Sequence, residues 1–175
     1  MPAATTHAAR AFIDACSLEV SAKAMPALHA EAARIAPGTT ISIPYLASED
    51  DDARIAAARR VRELGLQPMP HLSARRIGSL AALERFIARA VGEGGVEQCL
   101  LVAGDLATPA GPFADSASLI DIGLLERAGI KVVAVGGHPE GHPVMGADER
   151  WQVLERKCQA IEARGMAPKI ITQFA

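Results

Sequence analysis

The stretch IKVVAVG, residues 130–136, decides the fold of this chain. It is a nearly continuous apolar run, which is typical of a strand buried on both faces of a parallel sheet. The residues after it have the apolar spacing of a helix, with Trp151, Leu154, Cys158 and Ile161 on one stripe. A strand followed by a helix is the unit from which parallel sheets are built.

The same unit recurs along the whole chain, with a leading helix predicted over residues 8–15. Carboxylates at a helix N-terminus are favoured by the helix dipole, so the acidic residues 49–52 predict the start of a helix. Six β/α repeats indicate an α/β fold, either a doubly wound sheet or a (β/α)8 TIM-type barrel. The predicted strands cover residues 16–20, 39–45, 66–71, 98–104, 130–136 and 169–174.

Composition narrows the classes of protein. The chain has 175 residues, 50% of them hydrophobic, and a net charge of -2, so we expect one domain over residues 1–175 and no nucleic-acid partner. The three cysteines are far apart and form no CxxC pair, which argues against disulfides and cysteine zinc sites. Without a recognisable signal peptide or membrane span, a cytoplasmic protein with no membrane partner is expected.

Polar residues stand where the predicted strands end. In both architectures the chemistry gathers at the carboxyl ends of the strands, so these residues are the candidates for a site. They are Glu19, His71, Gly104, Asp105, His138, Glu140, His142 and Gln173.

The segment GGHPEGHP, residues 136–143, first suggests a metal site, because imidazoles and a carboxylate are competent metal ligands. Pro139 and Pro143 prevent it from being helical, so the histidines cannot share a helix face as in helical zinc motifs. The other interpretation is a rigid loop that presents imidazoles to an anionic or aromatic group. Neither standard phosphate-binding loop occurs in the chain.

Five segments in order resemble the strand-end motifs of the methylenetetrahydrofolate reductase family. They are SLEV at 17–20, PHLSARR at 70–76, VAGD at 102–105, HPEGHP at 138–143 and ITQF at 171–174. The resemblance implies a (β/α)8 barrel that holds FAD. It also implies an oxidoreductase of one-carbon metabolism that takes a hydride from NAD(P)H and reduces 5,10-methylenetetrahydrofolate to 5-methyltetrahydrofolate.

The resemblance also implies roles for single residues. Glu19 matches the family's catalytic general acid, and a carboxyl group between apolar neighbours keeps its proton to higher pH, as such an acid requires. Asp105 matches an aspartate near the flavin that contacts the pterin. Gln173 matches a glutamine that binds the pterin or the nicotinamide. The flavin-contacting positions are His71, Gly104, Asp105, His138, His142 and Lys157.

The chain departs from the family pattern in three places. Ala103 replaces an arginine, Pro44 replaces a threonine, and residues 21–23 replace an aromatic segment. The chain also stops after the sixth predicted strand, so we expect a barrel that is incomplete at its C-terminus, or one completed by a homo-oligomer or a partner chain. A catalytically inactive folate- or flavin-binding protein is the alternative function.

Overall fold

The computed structural model describes residues 16–142 and 144–172. The helix predicted at residues 8–15 and the predicted substrate-binding residue Gln173 lie outside these ranges. Each of the six predicted strands is present, and the bounds differ from the predictions by a few residues. The strands are β1 (Ser17–Glu19), β2 (Thr40–Ile43), β3 (Gln67–Ser73), β4 (Gln98–Val102), β5 (Val132–Gly137) and β6 (Ala167–Thr172).

Helices follow the first five strands. The start of the helix after β2 is capped by a side chain: the Asp50 carboxylate accepts a hydrogen bond from the backbone N–H of Ala53 at 2.8 Å, so the acidic segment 49–52 does begin a helix. The helices are α1 (Met25–Glu31), α2 (Asp51–Glu63), α3 (Leu80–Gly92), α4 (Ser116–Asp121), α5 (Leu124–Arg127) and α6 (Ala147–Ala163).

One apolar stripe is divided between two helices. Leu119, Ile122 and Leu125 have the spacing of a single helix, but Gly123 adopts φ 66° and separates α4 from α5. This left-handed conformation is incompatible with a continuous α-helix, and glycine adopts it without steric cost. Apolar spacing alone does not reveal such a break.

The six strands are all parallel and lie in the order β1-β2-β3-β4-β5-β6. A doubly wound sheet reverses its strand order at a switch point, whereas this sheet does not. Each strand is connected to its neighbour in the sheet by a crossover, and such crossovers are right-handed. All the helices therefore lie on one face of the sheet. The chain therefore has an α/β fold with the strand order of a (β/α) barrel.

The two faces of the sheet are buried to different extents. The helix-covered face carries the large core, in which Ile41, Leu101 and Val133 are fully buried with the apolar residues of the helices. The opposite face has a small separate cluster around Met69, Leu100 and Ala134. This second face is the interior of the curved sheet.

Each outer strand has one hydrogen-bonded neighbour among the described residues, β2 for β1 and β5 for β6. All three residues of β1 are exposed, whereas β4 is almost wholly buried. No helix of the described residues is long and apolar enough to cross a membrane.

Candidate functional site

A cleft of about 1480 Å³ lies at the carboxyl ends of the strands. Strand ends of β3 to β6 and the facing sides of α4 and α6 form its walls. Because parallel strands end at one edge of a sheet, residues far apart in sequence meet there. All six predicted flavin-contacting residues line this cleft: His71, Gly104, Asp105, His138, His142 and Lys157.

The predicted general acid, Glu19, stands at the end of β1 beside His71. Its Oε2 lies 3.6 Å from Nε2 of His71, which is too long for a hydrogen bond. The Glu19 side chain is 62% exposed, so the apolar surroundings expected from the sequence are missing on this side of the sheet. Glu19 is thus near the cleft but is not enclosed by it.

His71 is an uncharged histidine at neutral pH. Its side chain is 12% exposed, and burial together with the nearby positive charge of Arg54 lowers the pKa of His71 to about 4. These two effects outweigh the exposed carboxylate of Glu19, so the contact between them is not an ion pair. The Nε2 atom of His71 is buried and has no hydrogen-bond partner among the described residues.

Asp105 is held by a bidentate contact with Arg76. Nε of Arg76 donates to Oδ1 at 2.7 Å and Nη2 donates to Oδ2 at 2.8 Å. The guanidinium group lowers the pKa of Asp105, so this carboxylate stays charged near neutral pH. Its side chain is 74% exposed and is therefore accessible to a ligand, in a fixed orientation.

Gly104 is required by the backbone at this edge. It adopts φ 91°, and a Cβ atom on it would stand 2.3 Å from Oγ of Ser73. A side chain here would therefore clash with β3 as well as strain the backbone. The turn brings Asp105 next to Arg76.

His138 and His142 form the part of the cleft wall that follows β5. Their rings make an edge-to-face contact with centroids 4.8 Å apart. The pKa of His138 is lowered, first by burial and then by the neighbouring basic side chains of His142, Lys157 and Arg150. Nδ1 of His142 accepts from the backbone N–H of Val144 at 3.3 Å, which leaves its Nε2 available to a ligand.

Lys157 and Arg150 are seven residues apart on one side of α6, and both line the cleft. Burial lowers the pKa of Lys157. Neither side chain has a carboxylate within ion-pair distance among the described residues, and Nε of Arg150 is buried without a hydrogen-bond partner. This wall of the cleft is positively charged and suits an anionic group.

The metal-site interpretation of residues 136–143 finds no support in the geometry. Among residues 16–142 and 144–172, no group of three or more histidine, cysteine, aspartate or glutamate side chains is placed to hold a metal ion. Glu140 is exposed and does not line the cleft. The three side chains therefore do not converge as ligands.

Three arginines near the cleft were not singled out from the sequence. Arg76 lies in PHLSARR at a position for which the resemblance implies no role, and Arg150 stands four residues before Leu154 on the apolar stripe of α6. Arg54 shares a face of α2 with Ala57 and Val61. A charged residue on an apolar helix stripe is a signal that the sequence does contain, because such positions normally face the core.

Comparison with known proteins gives little about function. No protein-family model matches the chain. Among solved structures, the chain is similar to a D-psicose 3-epimerase whose structure was determined in the presence of D-fructose, with a TM-score of 0.46 and 13% identity. The match covers 90% of this chain and 63% of the epimerase chain, so the chain spans less than two thirds of that protein.

Proposed function

We propose that this chain is a flavin-dependent reductase that reduces 5,10-methylenetetrahydrofolate to 5-methyltetrahydrofolate with NAD(P)H as hydride donor. The observation that carries the proposal is the convergence of six predicted flavin-contacting residues on one cleft. Five of them come from three of the segments that carry the resemblance to methylenetetrahydrofolate reductases, and Lys157 comes from α6.

The cleft fits a dinucleotide cofactor such as FAD. Its volume of about 1480 Å³ exceeds the roughly 300–1,000 Å³ of ordinary small-molecule sites. The apolar side chains of Leu100, Val102 and Ile171 offer a surface for a ring system. Lys157 and Arg150 offer positive charge for phosphates. When bound, FAD would accept a hydride from NAD(P)H and deliver it to the folate.

The protein's own residues would orient the substrate and supply a proton. Glu19 would protonate an amine nitrogen of the five-membered ring of the folate, which then opens to an iminium ion that accepts the hydride as a methyl group forms. His71 lies 3.6 Å from Glu19. Because His71 is uncharged, it does not form an ion pair with this carboxyl group. The Asp105 carboxylate, fixed by Arg76, would accept hydrogen bonds from the pterin.

A second candidate is a folate- or flavin-binding protein that needs another chain for catalysis. The observation that favours it is the exposure of β1, which carries Glu19. A general acid works best where water is excluded. In this alternative, a partner chain or a second copy pairs with β1 and β6, closes an eight-stranded barrel and covers Glu19.

The Glu19→Gln variant distinguishes catalytic from structural roles of the edge strand. We expect it to keep flavin reduction by NAD(P)H while folate reduction falls by about 10²–10⁴-fold, because only the second step needs the proton. The two half-reactions are measured by following flavin absorbance in a stopped-flow instrument. Glu31→Gln, on the surface of α1, is the control and should leave both rates unchanged.

Full folate reduction by the Glu19→Gln protein would remove Glu19 from the mechanism. Wild-type protein that binds folate and flavin but transfers no hydride would favour the second candidate.

A further inference from the structure

A second cavity, the annex, opens beside the cleft. It has a volume of about 130 Å³ and lies between β3, α2 and α3. Tyr45, His71, Ser73 and Arg76 line both the annex and the main cleft, so the two spaces are neighbours. The annex is well below the roughly 300–1,000 Å³ of ordinary ligand pockets, and only a small chemical group fits it.

The side chain that distinguishes the annex is Arg54. It is 4% exposed, and its guanidinium carbon lies 4.5 Å from the ring centroid of Phe86 and 5.1 Å from that of Tyr45. Both distances are within the range of cation–π contacts. Nη2 of Arg54 donates to the backbone carbonyl of His71.

One donor of the guanidinium group is left unused by the protein. Nε of Arg54 is buried and has no hydrogen-bond partner among the described residues. The nearest carboxylate is that of Asp51, at 3.5 Å from Nη1 and itself largely exposed. A buried donor without an acceptor costs about 1–3 kcal/mol, and more when it is charged, so this arrangement calls for an acceptor.

The other charges around the annex do not fill that role. Arg76 is the other positively charged residue that lines the annex, and it already makes a bidentate contact with Asp105. The carboxylate of Glu49 accepts a hydrogen bond from the backbone N–H of Lys23 at 3.1 Å instead. The buried positive charge of Arg54 is therefore only partly compensated by the described residues. A planar carboxylate matches the donors of a guanidinium group in shape and charge.

We propose that the annex is a binding site for a carboxylate group, which accepts a hydrogen bond from Nε of Arg54. The carboxylate belongs either to a small free acid or to the acidic end of a larger ligand seated in the main cleft. Both sources share the same chemistry at Arg54. The proposal does not depend on flavin binding, because no residue specific to the annex is among the predicted flavin contacts.

The test is a titration with sodium formate, monitored through the Nε–H signals of arginines in ¹H–¹⁵N NMR spectra. Sodium chloride at equal ionic strength is the reference titration. We expect a saturable shift of the Arg54 signal with formate and none with chloride. In Arg54→Met the saturable response of neighbouring backbone amides should weaken by at least about tenfold, the loss expected for a charge-assisted hydrogen bond.

Two further variants keep the test decisive if Arg54→Met does not fold. Ala82→Leu fills the annex from α3 while leaving Arg54 in place, and it should abolish the formate response. Arg62→Met removes another arginine of α2 that donates to a backbone carbonyl, that of Gly95 at 2.9 Å, and it should bind formate normally. Equal responses to formate and chloride, or unchanged binding in Ala82→Leu, would overturn the proposal.

A parallel titration with 3-phenylpropanoate separates the two sources of the carboxylate. Tighter binding than formate, with additional shifts at Gly136 in the main cleft, assigns the annex to the acidic end of a larger ligand. Binding no tighter than formate, confined to the annex, assigns it to a small free acid.

Discussion

The centre and the edge of the sheet differ in how firmly they hold their functional residues. Strands β3 to β5 are packed against helices on one face. They position His71, which lies within β3, and Asp105 and His138, which follow β4 and β5. Strand β1 is exposed along its whole length and carries Glu19. The proposed cofactor contacts thus stand on a rigid support, whereas the proposed acid stands on a strand with one neighbour.

This difference separates two functions of one site. A preorganised surface for a ligand needs side chains that packing holds in place, and the centre provides it. An acid near neutral pH needs apolar surroundings, and the edge does not provide them among the described residues. Binding should therefore depend on the centre, and catalysis on whatever covers the edge.

The largest expected effect contrasts two leucines on the helix-covered face. Leu101→Ala in β4 removes a fully buried side chain and should lower the free energy of unfolding by about 2–5 kcal/mol. Leu18→Ala in β1, where the side chain is 38% exposed, should cost less than about 1 kcal/mol. Urea unfolding followed by circular dichroism measures both. Equal losses would show that β1 is as firmly packed as β4.

A pH effect on stability should arise at His71. Its pKa is lowered to about 4 in the folded protein, against an ordinary value near 6.5, so the unfolded chain binds the proton more readily. Stability is therefore complete above the unfolded pKa and falls as the pH drops from about 6.5 toward 4. The contribution lost between about pH 7.5 and pH 5 is roughly 2 kcal/mol.

Urea unfolding at several pH values measures this loss, which His71→Gln should remove. His29→Gln, at an exposed position of α1, is the matched control and should retain it. If His71→Gln keeps the full pH dependence, the burial and charge assigned to His71 are wrong.

The smallest effect concerns two glycines with nearly the same φ angle. Gly104 has φ 91° and Gly129 has φ 93°, so alanine at either position costs about 1–2 kcal/mol of backbone strain. Only at Gly104 does the added Cβ meet a neighbour, Oγ of Ser73 at 2.3 Å. The free energy of unfolding should therefore be lower in Gly104→Ala than in Gly129→Ala, by on the order of 1 kcal/mol.

Thermal unfolding compares the two alanine variants. Adding Ser73→Ala to Gly104→Ala should recover part of the difference. Identical stability of the two single variants would mean that the contact between β3 and the β4 turn is loose.

The sequence predicts the strands well because buried parallel strands such as 130–136 are almost wholly apolar, and that pattern depends little on tertiary contacts. It also predicts that His71, Asp105 and His138 reach one cleft, since strand ends share one edge. Glu19 and Glu140, singled out by the same reasoning, do not line it. It does not predict the break at Gly123, because a glycine within an apolar stripe is compatible with a continuous helix.

The electrostatics of the site could not be predicted from spacing. The lowered pKa of His71 depends on its burial and on the charge of Arg54, seventeen residues earlier on a different element. The exposure of Glu19 depends on the absence of a second neighbour for β1 among the described residues. Such relations appear only when elements distant in sequence are packed together.

The most direct test of the central claim, that the strand-end cleft binds flavin, is a titration of FAD fluorescence with the purified protein. We predict saturable quenching at one FAD per chain. Lys157→Met should weaken binding by at least about tenfold through the loss of a charge-assisted contact. Lys131→Met, at the opposite end of β5 where the lysine pairs with Glu97, should bind like the wild type. No saturable quenching, or equal weakening in both variants, would contradict the account.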